Sequence, residues 1–230
     1  ALTLCTGGIC VKGMISMILI GALALTLSGW TDGAKIGSNG NSGETGTGAE
    51  DFTGSIHITD DVTISATRED HNHSDTGSAA IGSGEKGNFT GTITIDGNAK
   101  VNADATWCGP GIGCGEKGDY NGDIIIGGNA EVTASGGSAS AGIGSGWDST
   151  FSGGSITIKD NSKVTAIGSN GFSQNTSCSN PAIGASEKAN PDYNPAKAPM
   201  NGTITITDNA QVKIGSDTKF GTSRTPLIGE

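Results

Sequence analysis

The chain has 230 residues, a formal net charge of −10 and an apolar fraction of 33%. Its 40 glycines, against three Trp, two Tyr and five Phe, exclude a broad core filled with large side chains, so any core is narrow and repetitive. Only 13 basic residues are present, and neutralising phosphates takes clustered Lys and Arg, so nucleic acid is not an expected partner.

The first fifty residues are the most apolar. Residues 12–28 place a lysine ahead of a hydrophobic run, as a targeting segment does. From Gly13 to Ser28 the run is 16 residues, short of the roughly 20 that span a membrane, so no membrane span is expected. Met17, Leu19, Leu23, Leu25 and Leu27 alternate as strand residues do, and Ile36-Gly37 follows eleven residues after Leu25. Residues 1–53 are therefore read as N-terminal coils or a cap, and residues 54–230 as one continuous repeat domain. Ile18 and Ile20 fall on the outward side of that alternation. Outward apolar residues usually mark a contact, so both are candidate interface residues for self-association or for an adjoining domain at the coil end.

From residue 54 onward a repeat is explicit. Gly-x-Ile-x-Ile recurs with leading residues Ile56, Ile93, Ile124, Ile156 and Ile204, at intervals of 37, 31, 32 and 48 residues. Eight residues after each comes Ile64, Val101, Val132, Val164 or Val212. An Ile-Gly pair follows, beginning at Ile81, Ile112, Ile143, Ile183 and Ile228. Each repeat thus holds three short segments of period 2 separated by Gly, Asn and Asp, with no run of helical period long enough for a crossover helix. The expected fold is all-β: a parallel β-solenoid with three strands per coil, about six coils of roughly 31 residues plus loop insertions. In the second repeat Ile93, Ile95, Ala99, Val101, Ala103 and Ile112 should face inward and stack on their equivalents ~4.8 Å away.

Two further columns support stacking. Phe52, Phe89, Tyr120, Phe151 and Met200 precede the first strands, and Asp61, Asn98, Asn129, Asn161 and Asn209 sit between first and second strands, where an amide ladder is expected. Insertions at 67–78, 167–180, 41–52 and 189–200 lengthen corners and leave the strands intact. The five cysteines are an odd number. Cys108 and Cys114, if joined by extended chain, lie ~20 Å apart and should not pair, whereas Cys5 and Cys10 flank a turn and either pair or are buried singly.

The runs 91–101, 141–146 and 202–212 (Gly-Thr-Ile-Thr-Ile-Asp-Gly-Asn-Ala-Lys-Val, Ala-Gly-Ile-Gly-Ser-Gly and Gly-Thr-Ile-Thr-Ile-Thr-Asp-Asn-Ala-Gln-Val) resemble the glycine-rich repeat arrays of secreted bacterial surface proteins. These are often loosely labelled carbohydrate-binding. The resemblance covers roughly residues 50–230. It implies a β-solenoid at the cell surface or outside the cell and brings no catalytic motif with it.

Three surfaces are candidates for function. The outward row of the first strands carries Thr92, Thr94, Thr157, Thr203, Thr205 and Thr207, a flat hydroxyl array suited to an ice lattice or a polysaccharide, although Thr is also an ordinary solvent-facing strand residue and His57, Asp123, Ile125 and Lys159 interrupt the row. Trp30, Trp107 and Trp147 offer aromatic faces on which sugar rings stack. The loop 68–75 holds His71 and His73 beside three carboxylates, a weak metal candidate against a solvated polar loop, and the acidic turns Asp60-Asp61 and 118–123 are weak calcium candidates. No paired catalytic carboxylates recur on adjacent repeats, the two arginines, Arg68 and Arg224, lie in loops, and the many Gly-x-Gly runs follow from composition. The leading expectation is a non-catalytic extracellular structural or adhesive protein without a cofactor, capable of end-to-end assembly. Ice binding and carbohydrate binding are the alternatives.

Overall fold

The computed structural model describes residues 16–19, 24–27, 34–38, 40, 49–67, 77–169, 180–188, 196–197, 199–217 and 228–229. Three parallel sheets, each of six strands among the described residues, form the sides of a triangular solenoid. The first side stacks Ser16–Leu19, Ser55–Ile58, Thr92–Ile95, Asp123–Ile126, Ser155–Ile158 and Thr203–Ile206. The second stacks Ala24–Leu27, Thr63–Thr67, Lys100–Asp104, Glu131–Ser135, Lys163–Ser169 and Gln211–Asp217. The third stacks Ile36–Gly37, Ile81–Gly82, Ile112–Cys114, Ile143–Ser145, Ile183–Gly184 and Ile228–Gly229.

Register follows the sequence alignment. Met17 pairs with Ile56 and Leu25 with Ile64, so the apolar N-terminal stretch occupies the strand positions expected of it. Ile93, Ile95, Ala99, Val101, Ala103 and Ile112 are all buried, each beneath the same type of residue one coil on. Burying each large aliphatic contributes roughly 1.5–3 kcal/mol, and shared register lets every coil cover its neighbour's inward row. The last described coil differs. Ile206 and Ile228 are 42% and 43% exposed, and Ile204, Val212 and Ile214 are only partly buried.

Both corner columns form. The rings of Phe52 and Phe89 stack at 5.4 Å and those of Tyr120 and Phe151 at 4.0 Å, Phe89 and Tyr120 meet tilted at 5.1 Å, and Met200 is bridged to Phe151. Tyr120 keeps its hydroxyl satisfied by donating to the Ser155 carbonyl at 3.0 Å. The asparagine corner turns on the residue before the stacking one. The residue in the left-handed region is the one before each amide, Asp60 (φ 61), Gly97 (φ 64), Gly128 (φ 60), Asp160 (φ 61) or Asp208 (φ 58). The asparagines themselves stack.

The third side is unlike the other two. Ala34 N–H donates to Ser38 O (3.1 Å), Ala79 N–H to Ser83 O (3.1 Å) and Ala141 N–H to Ser145 O (3.2 Å), so the segments flanking these three Ile-Gly pairs close on one another; Pro110 and Pro181 take the donor's place in the other two described coils of this kind. Its strands are buried at every position from Ile81–Gly82 to Ile183–Gly184. At Gly113 (φ 135) and Gly144 (φ 138) an added Cβ would fall inside the carbonyl oxygen of the next coil's glycine, so only glycine fits there. Cys108 and Cys114 are both buried and free, as their spacing required. One antiparallel pair breaks the pattern, joining Glu187–Lys188, just before the insertion at 189–200, with Ala196–Lys197 inside it.

Candidate functional site

The outward row of the first side forms two columns. Ser55, Thr92, Asp123, Ser155 and Thr203 are in register, as are His57, Thr94, Ile125, Thr157 and Thr205. Thr207 follows the last strand and is exposed. Asp123 accepts from the Ser155 hydroxyl at 2.7 Å, and His57 Nε2–H donates to the Asp96 carboxylate at 3.1 Å. The structure thus brings the six threonines onto one face, with Asp123 and Ile125 dividing each column at its middle strand.

The second side carries a more continuous polar surface. Asn98 Nδ2–H donates to Asp61 Oδ1 (3.0 Å), Asn129 to Asn98 (3.0 Å), Asn161 to Asn129 (3.4 Å) and Asn209 to Asn161 (3.2 Å). Asp61 accepts at the foot of the ladder, and every amide above it points its N–H the same way, towards the oxygen one coil below. Beside this ladder runs a ridge in which Glu131 is shared by two lysines, Lys100 at 4.0 Å and Lys163 at 3.3 Å. Two shallow grooves flank the ridge. One, about 470 Å³, has the asparagines as its other wall. The second, about 460 Å³, is lined by Ser65, Asn102, Thr133 and Thr165. Pairing in register carries both along the stacking axis.

Titratable groups gather most closely at the corner after the third side. Residues 84–87 and 115–118 form tight turns with Lys86 and Lys117 in the left-handed region, both at φ 60. Glu85 and Glu116 stack one coil apart there, 8% and 4% exposed. Glu85 meets Lys86 at 3.4 Å, and Glu116 meets Lys117. Burial pushes the Glu85 carboxyl above its ordinary value, and the Glu116 charge adds to the effect. Burial works against the charge on Lys117, but the hydrogen bond and charge of Glu116 outweigh it and the net shift is upward.

Trp147 sits at this corner, and Trp107 adjoins its backbone contact. The Trp147 backbone N–H donates to the Cys108 carbonyl at 3.0 Å, and Lys117 Nζ lies 5.2 Å from the Trp147 ring centre. Trp107 sits at φ 51, an uncommon conformation for a bulky residue, and both indoles are half-buried. Burial, and then the Glu116 carboxylate, pushes the Cys108 thiol up, and burial pushes Cys114 up to about 12, so both stay protonated.

Other candidates fall elsewhere. His71, His73, Ile20 and Trp30 lie outside the described residues, and Ile18 is placed by its backbone in register with His57. Among the described residues no three His, Cys, Asp or Glu side chains gather as metal ligands do, and no helix is long and apolar enough to cross a membrane. Sequence reasoning passed over the ridge and the glutamate pair. The signal for the ridge was the residue seven places after each leading isoleucine: Thr63, Lys100, Glu131, Lys163 and Gln211, in which charge alternates. The signal for the pair was Gly-Glu-Lys-Gly, repeated at 84–87 and 115–118.

No family model matches the chain, and no curated protein or solved structure matches it significantly.

Proposed function

We propose that this chain is a non-catalytic structural or adhesive β-solenoid that works outside the cell or on its surface. The observation that carries the reading is the use made of polar side chains on the open sides. The asparagines bond to one another, Glu131 is shared by lysines of both adjacent coils, and Ser155 bonds to Asp123, so these groups tie coil to coil and present a rigid, patterned exterior. Incubating purified protein with a panel of polysaccharides should leave every chain uncut by mass spectrometry, and release of oligosaccharides would overturn the reading. End-to-end association of copies belongs to the same proposal, resting on the parallel in-register pairing by which each coil adds to the next. Light scattering across a concentration series tests it, a monomer at every concentration counting against it.

Glycan recognition is the second reading, because Trp147 lies beside Lys117 and its backbone bonds to Cys108, the residue after half-buried Trp107. Partly exposed indoles give the flat apolar face on which a pyranose stacks. Quenching or a shift of tryptophan emission on adding soluble polysaccharide supports this reading, and unchanged emission together with no retention on any polysaccharide removes it.

A further inference from the structure

We infer that the groove between the asparagine ladder and the Lys100–Glu131–Lys163 ridge is a binding site for an extended, uncharged polysaccharide lying parallel to the stacking axis. The inference rests on the glycan reading above and places the main contact on a different surface from the tryptophans.

The argument starts from unused hydrogen-bonding capacity. A side-chain amide has two N–H groups and an oxygen with two lone pairs. Within the ladder Asn129 spends one N–H on Asn98 and one lone pair on Asn161, and Asn98 and Asn161 are committed in the same way. One donor and one acceptor per asparagine are left over, and these side chains are exposed. The groove therefore offers a line of donor and acceptor pairs, repeated at the strand spacing of ~4.8 Å. Ala99, Ala130 and Ser162, between the two walls, are buried, so the floor is backbone with no large side chain obstructing it.

Spacing and charge then select the ligand. An extended polypeptide repeats its outward groups every two residues, ~6.8 Å, and falls out of step with the ladder. A polyanion meets a chain of net charge −10, and the two lysines available to it already share Glu131. A flexible polycation finds one carboxylate in the groove, itself paired. An extended chain of linked pyranose units is neutral and carries both donors and acceptors on every unit, matching the donor and acceptor pair that each asparagine leaves free. Such a ligand would be bound unit by unit, each contact weak and the sum growing with the number of coils engaged.

The test uses the full chain and hydroxyethylcellulose as the neutral extended probe, with pectate as the anionic comparison, in affinity gel electrophoresis. Hydroxyethylcellulose should retard the protein more than pectate does. Asn129→Leu and Asn161→Leu should each weaken retardation roughly three- to ten-fold, the factor expected for one lost hydrogen-bonding partner. Asn129→Ser, small, polar and without an amide, should weaken it comparably while keeping the wild-type unfolding temperature within a few degrees, which separates lost binding from lost fold. Cello-oligosaccharides should compete better as they lengthen. Retardation unchanged in all three ladder variants but abolished by Trp147→Ala overturns the groove and leaves the glycan reading standing. Retention by pectate alone overturns the inference, and retention by no polysaccharide overturns both.

Discussion

The second and third sides are built by the same stacking rule and tolerate change very differently. On the second side alternate residues face water, and the outward columns hold Lys, Glu, Asn, Ser and Thr in mixed order. On the third side both faces are covered and the repeated Gly-Gly pairing leaves no room for a Cβ. An open side can therefore acquire a binding surface without disturbing the coil, whereas the closed side is committed to holding the coil together.

The sharpest way to break that contrast is Gly113→Ala. It combines an unfavourable φ with a clash against the Gly144 carbonyl, and a loss of more than about 4 kcal/mol, or failure to fold, is expected in chemical denaturation. The equally small change Thr133→Ala on the second side should stay within about 0.5 kcal/mol. If the two cost the same, the contrast is wrong. Next comes the core shared by all sides: Ile124→Ala, buried between Ile93 and Ile156, should cost about 2–5 kcal/mol.

A smaller effect concerns the corner where the third side ends. Because the folded-state pKa of Glu85 is raised above its ordinary 4.5, the stability linked to its protonation is fully present below that value and is lost as pH rises through the folded pKa. Lowering pH from neutral towards 4.5 should thus raise the unfolding temperature through this group. Glu85→Gln should flatten the response over that range, and an unchanged pH profile would show that Glu85 does not govern it.

The smallest effect is expected on the first side. Thr157→Tyr, outward and half-buried, should leave stability nearly unchanged. It also tests the remaining alternative for that face. Thermal hysteresis in the wild-type chain that disappears in this variant would support ice binding, and no hysteresis in either would remove it.

Much of this architecture was legible in the sequence because stacking in register turns periodic spacing into contact. Ile56, Ile93, Ile124, Ile156 and Ile204 align by counting alone, and so do the ring and amide columns, since each residue meets only its own equivalent one coil away. Even Met17 and Leu25, in a stretch that also reads as a targeting segment, found their strands by the same count. The tertiary structure decided what lies across a corner or outside a coil. That Ser83 turns back on Ala79, that Glu85 and Glu116 are buried, and that the Trp147 backbone meets the Cys108 carbonyl depend on the path of the connections around the third side, which a count of alternating residues does not trace. So does the groove between the asparagines and the ridge, whose walls belong to a corner and to the strand that follows it. Periodicity determines which residues stack. The angle at which one side meets the next determines which columns enclose a space, and no repeat count encodes it.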